Sequence, residues 1–135
     1  MTDAQTRHLE MLQGVIARMA ANSFALKGWS VTVTAALISL AAKDANVRFA
    51  MVALYPALAF WGLDAYFLRQ ERRFRALFDA VRRAETAESF TMDPSGADAG
   101  VPSWFQTLLA GTLAAVYLPI LVAIASVIGY AALKD

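Results

Sequence analysis

The chain has no cysteine, and His8 is its only histidine in 135 residues. Without cysteine there are no disulfides, thiol catalysis, iron–sulfur clusters or cysteine-based zinc sites, although no redox compartment follows. A lone histidine builds neither a His-rich metal site nor a base with its orienting partner. Its place near the start of the chain predicts a solvated side chain on a frayed end. Charge is scarce as well, at 17% of residues against 59% hydrophobic, with a mean hydropathy of +0.48. Soluble domains carry about 25% charged and roughly 45–50% apolar residues, so the balance argues against a water-soluble globule. A net charge of +1 supplies no field for nucleic acid. P-loop, GxGxxG, HExxH, GxSxG and EF-hand patterns are missing from the sequence. The expectation is a single, non-enzymatic domain with no catalytic, cofactor-binding or metal-binding residues.

What is present is apolar sequence in long runs. Gly28 to Ala42 holds no charge, Phe49 to Leu68 holds only Asp64, and Val101 to Leu133 is charge-free for 33 residues. A helix crossing a bilayer core needs roughly 20 apolar residues, within a range of about 17–25. The second and third runs meet that length. The first meets it when it begins near Phe24, with Lys27 extending its ammonium to the headgroups. The predicted fold is an all-α membrane protein with three transmembrane helices. A cleavable signal peptide does not fit, because the first run begins behind a helical segment of mixed charge.

Lys and Arg set the orientation, since cytoplasmic flanks retain positive charge. Arg7, Arg18 and Lys27 precede the first run, and Arg69, Arg72, Arg73, Arg75, Arg82 and Arg83 follow the second. Lys43 and Arg48 lie in the first link and Lys134 at the end. A cytoplasmic N-terminus therefore places nine cations inside and three outside, with the C-terminus outside the inner (cytoplasmic) membrane. Trp29, Trp61, Tyr66, Trp104 and Tyr130 fall near the boundaries, where an amphipathic ring finds both lipid and water.

The link Lys43–Arg48 is short enough to force an antiparallel hairpin, which brings Lys27 and Asp64 to the same depth. A lone charge in hydrocarbon costs about 2.5–3.5 kcal/mol on insertion scales, so pairing within the chain is expected. Pairing with a neighbouring subunit, or separate extension of each charge to the headgroups, are the alternatives. A proton or cation relay through Asp64 is disfavoured, because a single carboxylate near an interface makes a poor pathway. Leu9, Leu12, Ile16 and Met19 on one side, and Phe74, Leu77, Phe78 and Val81 on the other, form stripes at helical spacing. They predict two long helices, 5–43 and 48–87, that cross the bilayer and continue as a cytoplasmic helical stalk. The rival arrangement lays the N-terminal helix on the membrane surface.

Arg69, Arg72 and Arg73 are candidate lipid-headgroup contacts. Six acids between residues 69 and 100 dilute the basic run, which leaves no case for nucleic acid. Residues 88–103 read as a cytoplasmic loop, from which Phe90 and Met92 dock on the stalk and Ser103 caps the next helix. The third span is 104–133, with Trp104 to Ala110 interfacial or strongly tilted. Pro56 and Pro119 are candidate kinks, read as ordinary membrane-helix prolines before hinges. The pairs Gly111/Ala115 and Ala125/Gly129 suggest a third span packed closely on protein.

The strings MLQGVIARMAANSF (Met11–Phe24), LKGW (Leu26–Trp29) and FWGLDAYFLRQERRFRALFDAVR (Phe60–Arg82) resemble a set of small, largely uncharacterised bacterial integral membrane proteins. In layout the chain is similar to the SLATT-type membrane effector modules of anti-phage systems. That resemblance implies a self-associating, membrane-perturbing or channel-like effector regulated through its cytoplasmic helices, and carries over no catalytic residues. Its expected partners are the lipid bilayer, further copies of itself and a cytoplasmic protein. The alternative is a membrane anchor or accessory subunit that docks a cytoplasmic or membrane partner.

Overall fold

A computed structural model describes residues 2–44, 47–83, 90–95 and 100–134, and every regular element among them is helical. The elements are α1 (Asp3–Asp44), α2 (Val47–Arg82), α3 (Trp104–Leu108) and α4 (Gly111–Lys134). The chain is all-α, and α1, α2 and α4 are long and apolar enough to cross a membrane. At about 1.5 Å per residue, the 42 residues of α1 and 36 of α2 reach roughly 63 and 54 Å. Each is near twice the ~30 Å of a hydrocarbon core.

Local chemistry starts α1. The Thr2 hydroxyl accepts from the Gln5 amide at 3.2 Å, and Gln5 Oε1 accepts from the Thr2 amide at 2.9 Å. This reciprocal cap satisfies two donors that a helix start leaves open. Asp3 in the first turn and Lys43 in the last complement the helix dipole.

The helices α1 and α2 run antiparallel, since Leu12 packs on Leu77 and Val81 while Lys27 meets Asp64. Between them the buried positions are mostly small: Ser23, Ser30, Thr34 and Ala41 on α1, and Ala50, Ala53, Ala57 and Ala65 on α2. In a lipid solvent the association of helices rests on close van der Waals contact, which small side chains permit. Beside this seam α4 contributes Leu113, Tyr117, Ile120 and Ile124, at the spacing of one helix face. Among the described residues no third helix packs on the far end of the α1–α2 pair. There Leu12, Leu77 and Val81 form a separate core, flanked by Leu9, Phe74, Phe78 and Met92.

The structure corrects the sequence reading in two places. His8 is buried rather than solvated, at 4% exposure: its Nε2–H donates to the Thr91 carbonyl at 2.6 Å and its ring meets Phe90 edge-on at 5.6 Å. The stretch 104–133 is not one helix, because α3 ends at Leu108 and α4 begins at Gly111. Ser103 caps α3 through a capping box with Gln106. Gly111, Ala115, Ala125 and Gly129 are exposed and take no part in packing α4 on its own chain, so the expected packing on protein is left to a partner helix. Residues 84–87 of the expected second helix lie outside the described residues. Pro56 and Pro119 both sit inside uninterrupted helices.

Residues 90–95 form a short strap across the far end. Asp93 accepts from the Ser95 hydroxyl at 2.6 Å and from its amide at 3.0 Å. Those two bonds, with the field of Arg73, hold the Asp93 carboxyl below the usual carboxylate range.

Candidate functional site

The most polar spot in the apolar part of the fold is where three helices meet around Asp64. Its side chain is wholly buried inside the apolar stretch of α2. Lys27 Nζ lies 2.7 Å from Oδ2, and the lysine side chain keeps 21% exposure. Lys27 also donates to Ser23 Oγ at 2.8 Å, and Ser23 in turn donates to Asp64 Oδ1. From α4, Tyr117 donates its hydroxyl to Oδ2 at 3.0 Å. The carboxylate thus faces one cation and two hydroxyl donors, each delivered by helix geometry. Ser23 and Lys27 are four apart on α1, one turn above each other.

Burying a carboxylate is expensive unless it is paired and its lone pairs are filled. Both conditions are met here by residues of one chain. Trp61, one turn before Asp64, stacks on the Tyr117 ring at 6.1 Å with planes 8° apart. Its indole donates to the Leu108 carbonyl at 2.9 Å. That carbonyl belongs to the last turn of α3, where no helical partner exists. In return, Trp104 of α3 donates to the Gly62 carbonyl at 3.1 Å. The break between α3 and α4 therefore supplies the acceptor that fixes Trp61, and Trp61 fixes Tyr117.

Sequence reading singled out Lys27 and Asp64 but missed Ser23 and Tyr117. The spacing of Ser23 to Lys27 was a usable signal, as was a tyrosine hydroxyl in the middle of a charge-free run. Further along α1, the hydroxyls of Ser30 and Thr34 are buried without a partner among the described residues. The more exposed Thr32, Ser39 and Ser126 instead bond back to their own helices.

The arginines expected at headgroups lie together at the start of the extension. Arg69 Nε donates to the Pro102 carbonyl and Arg73 to Gln70 Oε1, each at 3.2 Å. Arg72 and Arg75 line a groove of about 350 Å³ beside residues 100–102. A second concavity, about 400 Å³, lies at the far tip between Arg7, His8, Met11 and Phe90. No cluster of metal-ligating side chains occurs among the described residues. Comparison with family models, curated proteins and solved structures finds no match to this chain.

Proposed function

We propose that this chain is a non-enzymatic anchor or accessory protein of the bacterial inner membrane. Its three spans hold a two-helix stalk on the cytoplasmic side, where it docks a cytoplasmic or membrane partner. The observation that carries this reading is the cluster at Asp64. A carboxylate, an ammonium and two hydroxyls satisfy one another within one chain, so the spans form a self-sufficient unit around a neutralised centre. Three helices packed on a small-residue seam enclose no permeation path of their own. What extends beyond a bilayer's thickness is the α1–α2 pair, and the surplus of Lys and Arg at that end supports a cytoplasmic location for it.

A self-associating, channel-like effector regulated through the stalk is the second reading. It is favoured by the outward-facing Gly111, Ala115, Ala125 and Gly129 of α4, which let another helix approach closely. Graded expression in bacterial cells, with membrane potential followed by a voltage-sensitive dye, separates the two. An anchor leaves the potential unchanged at every level and elutes from detergent as one chain per micelle. Depolarisation that scales with expression, together with a homo-oligomer in detergent, supports the effector. Recovery of the chain in the soluble fraction, monodisperse without detergent, overturns both.

A further inference from the structure

We infer that the groove between α2 and residues 100–102 binds a phospholipid headgroup of the phosphatidylethanolamine class, one that carries a phosphodiester and a primary ammonium. The inference rests on the membrane reading above. One wall of the groove is a single face of α2, with Arg72, Arg75, Ala76 and Asp79; Val101 and Pro102 form the other. Its volume of about 350 Å³ lies within the range of small-ligand sites, about 300–1,000 Å³. The second wall is tied in place where Arg69, one turn nearer the membrane, donates to the Pro102 carbonyl at 3.2 Å.

Depth comes from the helix rise. Leu68 closes the apolar stretch of α2, and Arg72 lies about 6 Å beyond it at ~1.5 Å per residue. The headgroup layer occupies about 5–8 Å on each side of the hydrocarbon core, so Arg72 stands at phosphate level. Asp79 stands seven residues, about 10 Å, farther out along the same wall of the groove.

The charges are ordered along this wall. Arg75 is engaged by Glu71 Oε1 at 2.9 and 2.8 Å. Arg72 has no carboxylate partner among the described residues. Farther out, Asp79 has Arg82 at 3.6 Å, beyond hydrogen-bond length. A guanidinium nearest the lipid and a carboxylate beyond it match a phosphate followed by a cationic headgroup. Arginine binds phosphate oxygens through a planar fork. A primary ammonium then offers Asp79 three N–H donors. A choline group offers none, and a glycerol headgroup brings its phosphate charge toward Asp79 without a cation to meet it. Ala76, Val101 and Pro102 supply apolar contact for the headgroup carbons.

Native mass spectrometry of the full chain in micelles, with phosphatidylethanolamine, phosphatidylcholine or phosphatidylglycerol added singly, tests this. Wild type retains the ethanolamine lipid roughly fivefold better than either of the others, close to 1 kcal/mol. Arg72→Gln lowers its retention about tenfold. Asp79→Asn keeps phospholipid binding but erases the preference for ethanolamine over choline. Arg18→Gln, exposed on α1 and not among the residues that line the groove, leaves the preference for ethanolamine unchanged. Equal retention of the three lipids, preference for phosphatidylglycerol, or an unaltered Arg72→Gln variant overturns the inference. Circular dichroism on each variant reports retained helix. Failure of the membrane reading is seen separately, as a chain that stays monodisperse without detergent.

Discussion

Tyr117 and Asp64, 53 positions apart in sequence, meet as two wholly buried side chains with the phenol donating to Oδ2 at 3.0 Å. This bond ties α4 to the α1–α2 pair at a point where apolar packing alone has no directional preference. Tyr117→Phe removes the hydroxyl and keeps the ring that stacks on Trp61. Hydrogen bonds to charged groups contribute about 1.5–3 kcal/mol in water-soluble proteins, while interhelical ones in membranes average nearer ~0.6. The expected loss is therefore about 1–2 kcal/mol, read from reversible unfolding in mixed micelles. Trp61 fluorescence should shift at the same transition, because its neighbour is the altered side chain. An unchanged midpoint contradicts a bond that matters to stability.

Lys27 and Asp64 are not equivalent partners, and the difference is measurable. Asp64 is sealed in, whereas Lys27 keeps 21% of its side chain accessible and has a route outward for its ammonium. Lys27→Met leaves a buried carboxylate without a cation and costs about 3 kcal/mol or more. Asp64→Asn leaves a lysine that can turn to the headgroups, and costs less. The double variant Lys27→Met, Asp64→Asn should lose less than the two singles combined, because neither charge is then stranded. Strictly additive losses in the same unfolding assay would falsify the contact.

How far this was readable from the chain differs residue by residue. The meeting of Lys27 with Asp64 is legible because a six-residue link fixes the register of two helices, and charges in apolar runs stand out. Ser23 and Tyr117 carry no formal charge, so they become visible only once three helices are placed around Asp64. The break at residues 109–110 had no proline to announce it. It is stabilised from outside, by the Trp61 indole that takes the Leu108 carbonyl. His8 was misjudged because chain position is a poor guide to burial when a strap such as residues 90–95 folds back over a helix end. The small-residue pairs of α4 were legible as a pattern for close packing, but only the structure shows that they lie on the face turned away from the chain's own core.

The seam between α1 and α2 predicts where size matters. Ala57 is 1% exposed in the core it shares with Leu113, Tyr117 and Ile124 of α4, while Ala115 faces outward on α4. Ala57→Leu inserts three carbons into this closed core, and overpacking of this kind costs about 1–3 kcal/mol. Ala115→Leu is expected to leave the unfolding midpoint of the isolated chain unchanged. If it instead alters the oligomeric state seen in detergent, the effector reading gains and the anchor reading loses.

His8 holds the strap at the far end through one hydrogen bond and one ring contact. His8→Ala removes both and should free residues 90–95 while the helices stay intact. Limited digestion with a protease that cuts after aromatic residues should then cleave behind Phe90 several-fold faster. His8→Gln retains a side-chain N–H donor and should recover part of the protection. Equal cleavage rates in all three proteins would show that Met92, packed on Leu12, Leu77 and Val81, anchors the strap unaided.

The proposed orientation rests on the cations, and the absence of cysteine from the sequence makes it simple to check. Nine of the twelve Lys and Arg side chains flank the same side of the three apolar runs. Retention of positive charge in the cytoplasm leads to the expectation that this side lies inside. Thr2→Cys, near the start of α1, should resist a membrane-impermeant maleimide in intact cells and react after lysis. Leu133→Cys, at the far end of α4 and 89% exposed, should react before lysis. The two positions test separate points. Both reacting before lysis would mean an even number of crossings, so that one of α1, α2 and α4 fails to span. The reverse pattern would keep three crossings but turn the stalk outward, and a cytoplasmic partner for the α1–α2 extension would then be ruled out.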